Sequence, residues 1–121
     1  MVEEKLVTVL KASSDLVNLV SSRIFPVLLP QDAAFPSVTY QRVSGERVYD
    51  LDGDSNLENP RIQIDTWSTS YGASKQISGI IRTAMEGSAT FDALLLSDMD
   101  LYQDDVEIYR ISQDFSIWNR E

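Results

Sequence analysis

The chain of 121 residues contains no cysteine and no histidine. Without cysteine it can form no disulfide, and it offers no thiolate to a metal or a substrate. Without histidine it lacks the commonest general base, so a Ser-His-Asp site is impossible and the usual zinc sites lose most of their ligands. What remains for an enzyme is carboxylate or lysine chemistry, or magnesium held by acids. We therefore expect no catalytic residues, no cofactor and no metal site.

Long apolar runs and basic residues are also scarce. No apolar run approaches the ~20 residues that a membrane-spanning helix requires. The first residues, MVEEKLVTVLKASS, carry acids where a signal peptide carries basic residues, so we expect a cytosolic chain without membrane contact. Ten Lys and Arg stand against nineteen Asp and Glu, which gives a formal net charge of −9. Phosphate contacts need clustered Lys and Arg, so binding to a nucleic-acid backbone is not expected.

The negative charge is concentrated in two segments. Residues 46–58 carry five acids against one arginine, and residues 92–107 carry six acids and no basic residue. These segments contain two candidate metal sites. An EF-hand loop that begins at Asp50 would place Gly at the fourth position and Arg61 at the twelfth, where the motif needs Gly at the sixth and Glu at the twelfth. Asp98 and Asp100 share one face of a strand and could hold magnesium, although a solvated strand end explains them as well.

The pattern of apolar residues predicts an α+β fold of one domain, 1–121. Helical spacing occurs over 2–12, with a short further turn capped by Asp15, and over 71–87, which ends at Gly87. Alternation predicts strands over 37–45, 61–67, 93–102 and 107–118. The expected order is α-β-β-α-β-β, with an antiparallel-rich sheet of about four strands, two main helices on one face and a long hairpin loop at about 46–59.

Two tryptophans lie at strand ends. Trp67 lies on the face opposite Ile62 and Ile64, and Trp118 closes the last strand. Partly buried sheet residues are one interpretation, and a subunit contact on the second face of the sheet is the other.

Several segments together resemble the tail completion or tail terminator (head-tail joining) proteins of long-tailed double-stranded DNA phages. These segments are 23-RIFP-26, 29-LPQ-31, 35-FPSVTYQRVSG-45, 61-RIQIDTWS-68 with Ser70, Tyr71 and Ala73, and 114-DFSIW-118. They follow the family's order over nearly the whole chain, and the acidic loop falls where the family varies.

The resemblance implies a small α+β virion protein of a phage or prophage, without catalytic residues. Such proteins form a ring, generally a hexamer, at the head-proximal end of the tail tube. The ring stops tube polymerisation and docks to the head connector or stopper protein, and DNA passes through it without specific binding. The implied partners are therefore other copies of the chain, the major tail tube protein and the connector. The implied location is the virion tail, after assembly in the host cytoplasm.

An acidic channel wall would repel phosphates and let DNA slide. We expect the 46–58 loop to be mobile in the free subunit and to order on a partner. The expected interface residues are Asp50, Asp52, Asp54, Glu58, Trp67 and Trp118, and the expected channel-facing acids are Asp98, Asp100, Asp104 and Asp105. The alternative from another class is an acidic DNA mimic that inhibits a nucleic-acid enzyme, for which steep weakening of binding by salt would be diagnostic.

Overall fold

A computed structural model describes residues 2–44, 47–50 and 53–120, and the side chains of all of these except 47–50, 53–56 and Arg120. These residues form helices and strands in an α+β arrangement. In chain order the elements are α1 (Val2–Lys11), α2 (Ser14–Val20), β1 (Ile24–Pro26), β2 (Ser37–Ser44), β3 (Arg47–Asp50), β4 (Gly53–Glu58), β5 (Arg61–Ser68), α3 (Tyr71–Glu86), β6 (Asp92–Gln103) and β7 (Ile108–Arg120).

The helix ends follow from local hydrogen bonds. Ser70 caps α3 because its hydroxyl accepts a hydrogen bond from the Ala73 backbone N–H, and Gly87 ends the helix, as the sequence predicts. The cap of α2 differs from the prediction. Ser13, in extended conformation, accepts from the Leu16 N–H, and Asp15 lies inside the first turn. None of the helices described is long and apolar enough to cross a membrane.

The described strands form one sheet in which β7 is the central element. The order is β1-β2-β5-β7-β4-β3, and β6 pairs with the other edge of β7. β1 runs parallel to β2, and the other pairs are antiparallel. The sheet therefore has seven strands where about four were predicted. The four predicted strands correspond to β2, β5, β6 and β7, whereas β1 lies in a proline-rich stretch for which no strand was predicted.

Most of the segment that was predicted to be a hairpin loop forms strands. The prediction of a loop at about 46–59 is wrong for most of its length, because β3 and β4 continue the hairpin begun by β2 and β5. A break at Asn59 and Pro60 separates β4 from β5. The Asn59 amide bridges this break by donating to Ser116 Oγ and to the Ile117 carbonyl, each at 2.9 Å. Only two residue pairs, Leu57 with Arg120 and Glu58 with Asn119, join β4 to β7.

The core lies between the helices and one face of the sheet. Alternate residues of β5 and β7 point to this face, where Ile62, Ile64 and Phe115 are completely buried. This alternation was predicted from the sequence, and it is confirmed. The main cluster consists of Val2, Leu6, Leu10, Leu16, Val20, Ile24, Val38, Ile62, Ile64, Ile77, Ile81, Met85, Phe91, Ala93, Phe115 and Ile117.

A polar layer occupies the other face of the sheet. Asp65, only 5% exposed, accepts two hydrogen bonds from the Arg110 guanidinium, at 2.7 and 3.1 Å. The guanidinium carbon lies 4.7 Å from the centroid of the Trp67 ring, within cation–π range. The Trp67 indole N–H in turn donates to Thr39 Oγ1 at 3.0 Å. Three adjacent strands are thus linked on a face that the helices do not cover.

We predict that Arg110→Ala lowers the free energy of unfolding by about 3 kcal/mol, because removal of one partner leaves the Asp65 carboxylate buried without its countercharge. Urea denaturation monitored by circular dichroism would measure this. Arg61→Ala is the matched control. It removes an arginine from the same face, but its ion pair with Asp114 is more exposed, so we expect a loss below about 1 kcal/mol. Equal losses in the two variants would contradict the assignment.

Candidate assembly surfaces

The 104–107 turn of one acidic segment and the β3–β4 hairpin of the other lie at opposite ends of the sheet, whereas Asp92, Asp98 and Asp100 are distributed along β6. β6 and β7 are joined by a turn at 104–107, next to the first residue of β7. β4 pairs with the last residues of β7, so Gly53–Asn56 and their partners in β3 lie beyond the other end. The thirteen residues of β7 span about 40 Å at ~3.3 Å per residue. The 104–107 turn and the β3–β4 hairpin are therefore separated by the length of β7.

The 104–107 turn is an exposed acidic hairpin tip. Asp104 and Asp105 are both exposed, as are Val106 and Glu107. Glu107 has a φ of 54°, which lies in the left-handed region. The side chains of this tip, defined as residues 104–107, are exposed, and the channel-facing role expected of Asp104 and Asp105 stays a prediction.

Asp98 and Asp100 share a face of β6, as predicted, but it is the face that carries the helices. Their partners across the ladder are Gln113 and Ile111. Asp100 accepts hydrogen bonds from Tyr71 Oη at 2.7 Å and from Lys75 Nζ at 2.9 Å. The basic partner that the sequence segment lacks is thus supplied by α3. Asp98 stays exposed to solvent.

These contacts shift the pKa values of the three groups. The hydrogen bond from Tyr71, together with Lys75, holds the pKa of Asp100 below its ordinary value of 3.8. The hydrogen bond to Asp100 raises the pKa values of Lys75 and Tyr71. The Tyr71 ring also lies 5.5 Å from that of Tyr109, which lies 4.7 Å from Tyr102. Three tyrosines and a charged pair thus form a partly exposed cluster beside the 104–107 tip.

The other acidic candidates have different surroundings. The Glu58 side chain is only 3% exposed and lies within the folded domain. It accepts a hydrogen bond from the Asn119 amide at 3.0 Å and forms an ion pair with Arg42 at 3.5 Å. Arg42 also pairs with Glu3 of α1. Glu58 therefore anchors the base of the β3–β4 hairpin. Asp50 and Asp54 lie on β3 and β4, where the structure does not describe side chains, and Asp52 lies outside the described residues.

Both tryptophans face the side of the sheet without helices. Trp67 pairs with Arg110 in the ladder and is half-buried under its guanidinium. Trp118 pairs with Asp92 of β6 and is 41% exposed. The two residues therefore differ. Trp67 belongs to the polar layer, whereas Trp118 offers a large apolar surface to a partner.

Sequence reasoning missed an apolar surface on β6. Its aliphatic side chains Leu94, Leu96 and Leu101 and the thioether of Met99 are each more than a third exposed. The signal was present in the sequence, since the run 93-ALLLSDMDL-101 has apolar residues at positions of both parities. A strand with only one buried face needs apolar residues at alternate positions only. The additional, exposed apolar residues of β6 indicate a second contact surface.

The described residues contain no group of three acidic side chains that could hold a metal ion. An open groove of ≈ 600 Å³ lies between α3 and the first two helices, and Asp15 is the one titratable side chain that lines it. Small and apolar residues such as Ala12, Gly79 and Ala84 make up much of the rest. This groove lacks the paired acid and base that catalysis would need.

We predict that Tyr71→Phe raises the pKa of Asp100 toward its ordinary value, as followed by the carboxyl ¹³C shift in an NMR titration. Because the folded-state pKa is depressed, the contact stabilises the fold above pH 3.8 and is lost as pH falls through the lower folded-state pKa. Arg82→Gln is the control, because it removes a cation of α3 that pairs with Glu86. An unchanged titration of Asp100 in Tyr71→Phe would contradict the contact.

Comparison with known proteins gives a consistent result. The family model described as tail completion protein gp17 matches residues 4–120. A chain of the virion of a native gene transfer agent particle has the same fold, with a TM-score of 0.79 and 15% identity over 96% of this chain and 92% of that chain. The gp17 protein of bacteriophage SPP1 matches with a TM-score of 0.59 and 18% identity, over 98% and 90%. No protein of curated function matches the chain. Since the family model spans nearly the whole sequence, the chain belongs to the phage tail completion protein family, as its resemblance indicated.

Proposed function

We propose that the chain is a structural virion protein that forms a ring at the head-proximal end of the tail tube. The ring ends tube polymerisation and joins the tail to the head connector. This role needs no catalytic group, in agreement with a sequence that has neither histidine nor cysteine. The family match supports a structural role in the tail, and the arrangement of the two hairpins supports the joining of the tail to the head connector.

The observation that carries the proposal is the position of these hairpins. One leaves the sheet beside the first residue of β7, and the other extends past its last residue. A protein that joins two structures needs two separate contact surfaces, one for each partner. The 104–107 tip and the β3–β4 hairpin provide such surfaces at opposite ends of a rigid sheet. Because they share no residue, each contact can form without the other.

The charge supports passage of DNA. A net charge of −9 repels phosphates, so that DNA moves through a ring without sticking to its wall. Asp98, Asp100, Asp104 and Asp105 were expected to line the channel, and Asp98, exposed on the helix-bearing face of β6, stays our candidate. Asp104 and Asp105 belong to the tip that we assign to a partner, and Asp100 is paired with Lys75 and contributes less.

The alternative role as a DNA mimic has weaker support. A mimic presents negative charge as a continuous array that follows the two backbones of a duplex. Here the acidic 104–107 tip and the β3–β4 hairpin lie at opposite ends of a sheet, and the face without helices carries Arg61 and Arg110 between them. Salt-sensitive binding to a basic nuclease, together with the absence of any ring, would favour the mimic.

We expect the purified chain to form closed rings of several subunits, on its own or on the end of a tail tube. Light scattering behind size exclusion over a wide concentration range measures the first case. For the second, the chain is added to polymerising tail tube protein, and tube length is measured by negative-stain microscopy. Shorter tubes with a ring at one end are expected. Tubes of unchanged length, with no ring in either experiment, would refute the proposal.

We also predict that the two hairpins serve different partners. The triple variant Asp104→Asn/Asp105→Asn/Glu107→Gln removes the charge of one tip, so either tube capping or connector binding should weaken, while the other contact persists. Tube length and connector pull-down measure the two contacts separately. The control variant Glu4→Gln/Asp15→Asn/Asp32→Asn neutralises the same number of exposed acids elsewhere and should change neither. Equal loss of both contacts in the tip variant would contradict the division.

A further inference from the structure

The outer edge of β6 is open. This strand of twelve residues pairs only with β7, so the backbone groups along its other edge have no partner strand in the part of the chain that the structure describes. Long edge strands are normally protected by charged side chains, especially lysine, by proline, by shortness or by bulges. Asp92–Gln103 contains three aspartates but no lysine and no proline, and one irregularity at Leu96 leaves seven further residues in a regular ladder. Such an edge is available to pair with a strand of another chain.

Apolar side chains line the same edge. Leu94 is 60% exposed and Met99 is 60% exposed, and both point to the face without helices, as does Leu101. Trp118 lies beside them on β7, across from Asp92. The strip is about 40 Å long. A specific interface buries about 800 Å² on each partner, and a strip of this length is long enough to contribute to one. We name residues 92–103 with Trp118 the β6 edge.

The opposite edge of the sheet is also open and apolar, but it has a different form. β1 covers only Val38–Tyr40 of β2, so residues 41–44 have no partner strand on that edge within the described ranges. Val43 is 53% exposed there, and Val27 and Leu28, which follow β1, are 59% and 77% exposed. We name residues 27–28 and 41–44 the β2 edge.

The two edges also differ in charge. The β6 edge belongs to a segment of six acids without a basic residue. Arg23 directly precedes β1, which pairs with β2, and its guanidinium donates hydrogen bonds to the backbone carbonyls of Pro36 and Leu19. No carboxylate among the described residues pairs with Arg23, so its charge is available to an acidic neighbour. Arg42 lies on the β2 edge itself, where it already pairs with Glu3 and Glu58.

From these observations we infer that the β6 edge of one subunit packs against the β2 edge of the next copy of the chain. This inference rests on the proposed ring and specifies how its subunits meet. Two different surfaces in contact give a head-to-tail arrangement, which closes into a ring when the rotation between subunits permits. Pairing of β6 with β6 of a second copy would instead place acids against acids, which is destabilising across a ladder.

A cross-linking experiment tests the contact directly. Because the chain contains no cysteine, introduced thiols are the only ones that react. Leu96→Cys lies on the β6 edge and Val43→Cys on the β2 edge, and each position is exposed at an irregularity of its ladder. The double variant, assembled and treated with a short bis-maleimide, should give covalent products that extend from dimer to the full ring. Each single variant should remain monomeric on the denaturing gel.

The possible outcomes separate the inference from the proposed function. Rings without a covalent ladder would overturn the edge contact and leave the ring in place. Dimers from Leu96→Cys alone would overturn it in favour of β6–β6 pairing. Absence of rings, both alone and on tail tubes, would overturn the proposed function and this inference with it.

A charge variant provides a second, independent test. Leu94→Glu/Met99→Glu should raise the concentration needed for ring assembly at least about tenfold, because the lost apolar contact exceeds the free energy that separates tenfold affinities. Gln76→Glu, on the exposed face of α3, is the control and should assemble as the unmodified chain does. Thermal unfolding of both variants verifies the fold. Unchanged assembly of a folded Leu94→Glu/Met99→Glu variant would overturn the inference.

Discussion

The pairing of β7 with β5 on one edge and β6 on the other is the constraint on which the structure depends. Side chains alternate along a strand, so a slip of one residue would move Phe115 and Ile117 from the core to the open face. It would also carry Arg110 away from Asp65. The same strand register thus places the apolar residues in the core and the linked polar residues on the opposite face. A shift of the register would disrupt both faces.

The sequence was sufficient for those parts of the fold that are governed by local pattern. The period of Ile77 and Ile81 in α3 and the alternation of Ile62 and Ile64 in β5 predicted their elements and buried faces, and Gly87 marked a helix end. Contacts between distant segments were not predictable. Lys75 of α3 donates to Asp100 of β6, which was expected to be a solvated strand end or part of a channel wall. Glu58, which was expected at a partner interface, accepts from Asn119, 61 positions away. β1 was missed because three residues are too few to establish an alternation.

Three kinds of surface are kept apart in this chain. The ends of the sheet carry acidic hairpins, its edges carry exposed apolar side chains, and the groove between the helices carries mostly small uncharged ones. In a ring whose subunits meet edge to edge, the ends remain free for partners above and below. This separation explains how one small domain can combine self-assembly with two further contacts, and why the residues of one surface do not constrain those of another.

The weak attachment of the β3–β4 hairpin has a consequence for the evolution of the family. Two residue pairs and the buried Glu58 hold its base. Residues can therefore be added or removed in pairs near the tip while the register of the main sheet stays fixed. A phage could lengthen, shorten or exchange this arm to suit a new connector, and such changes would leave the folding of the domain untouched.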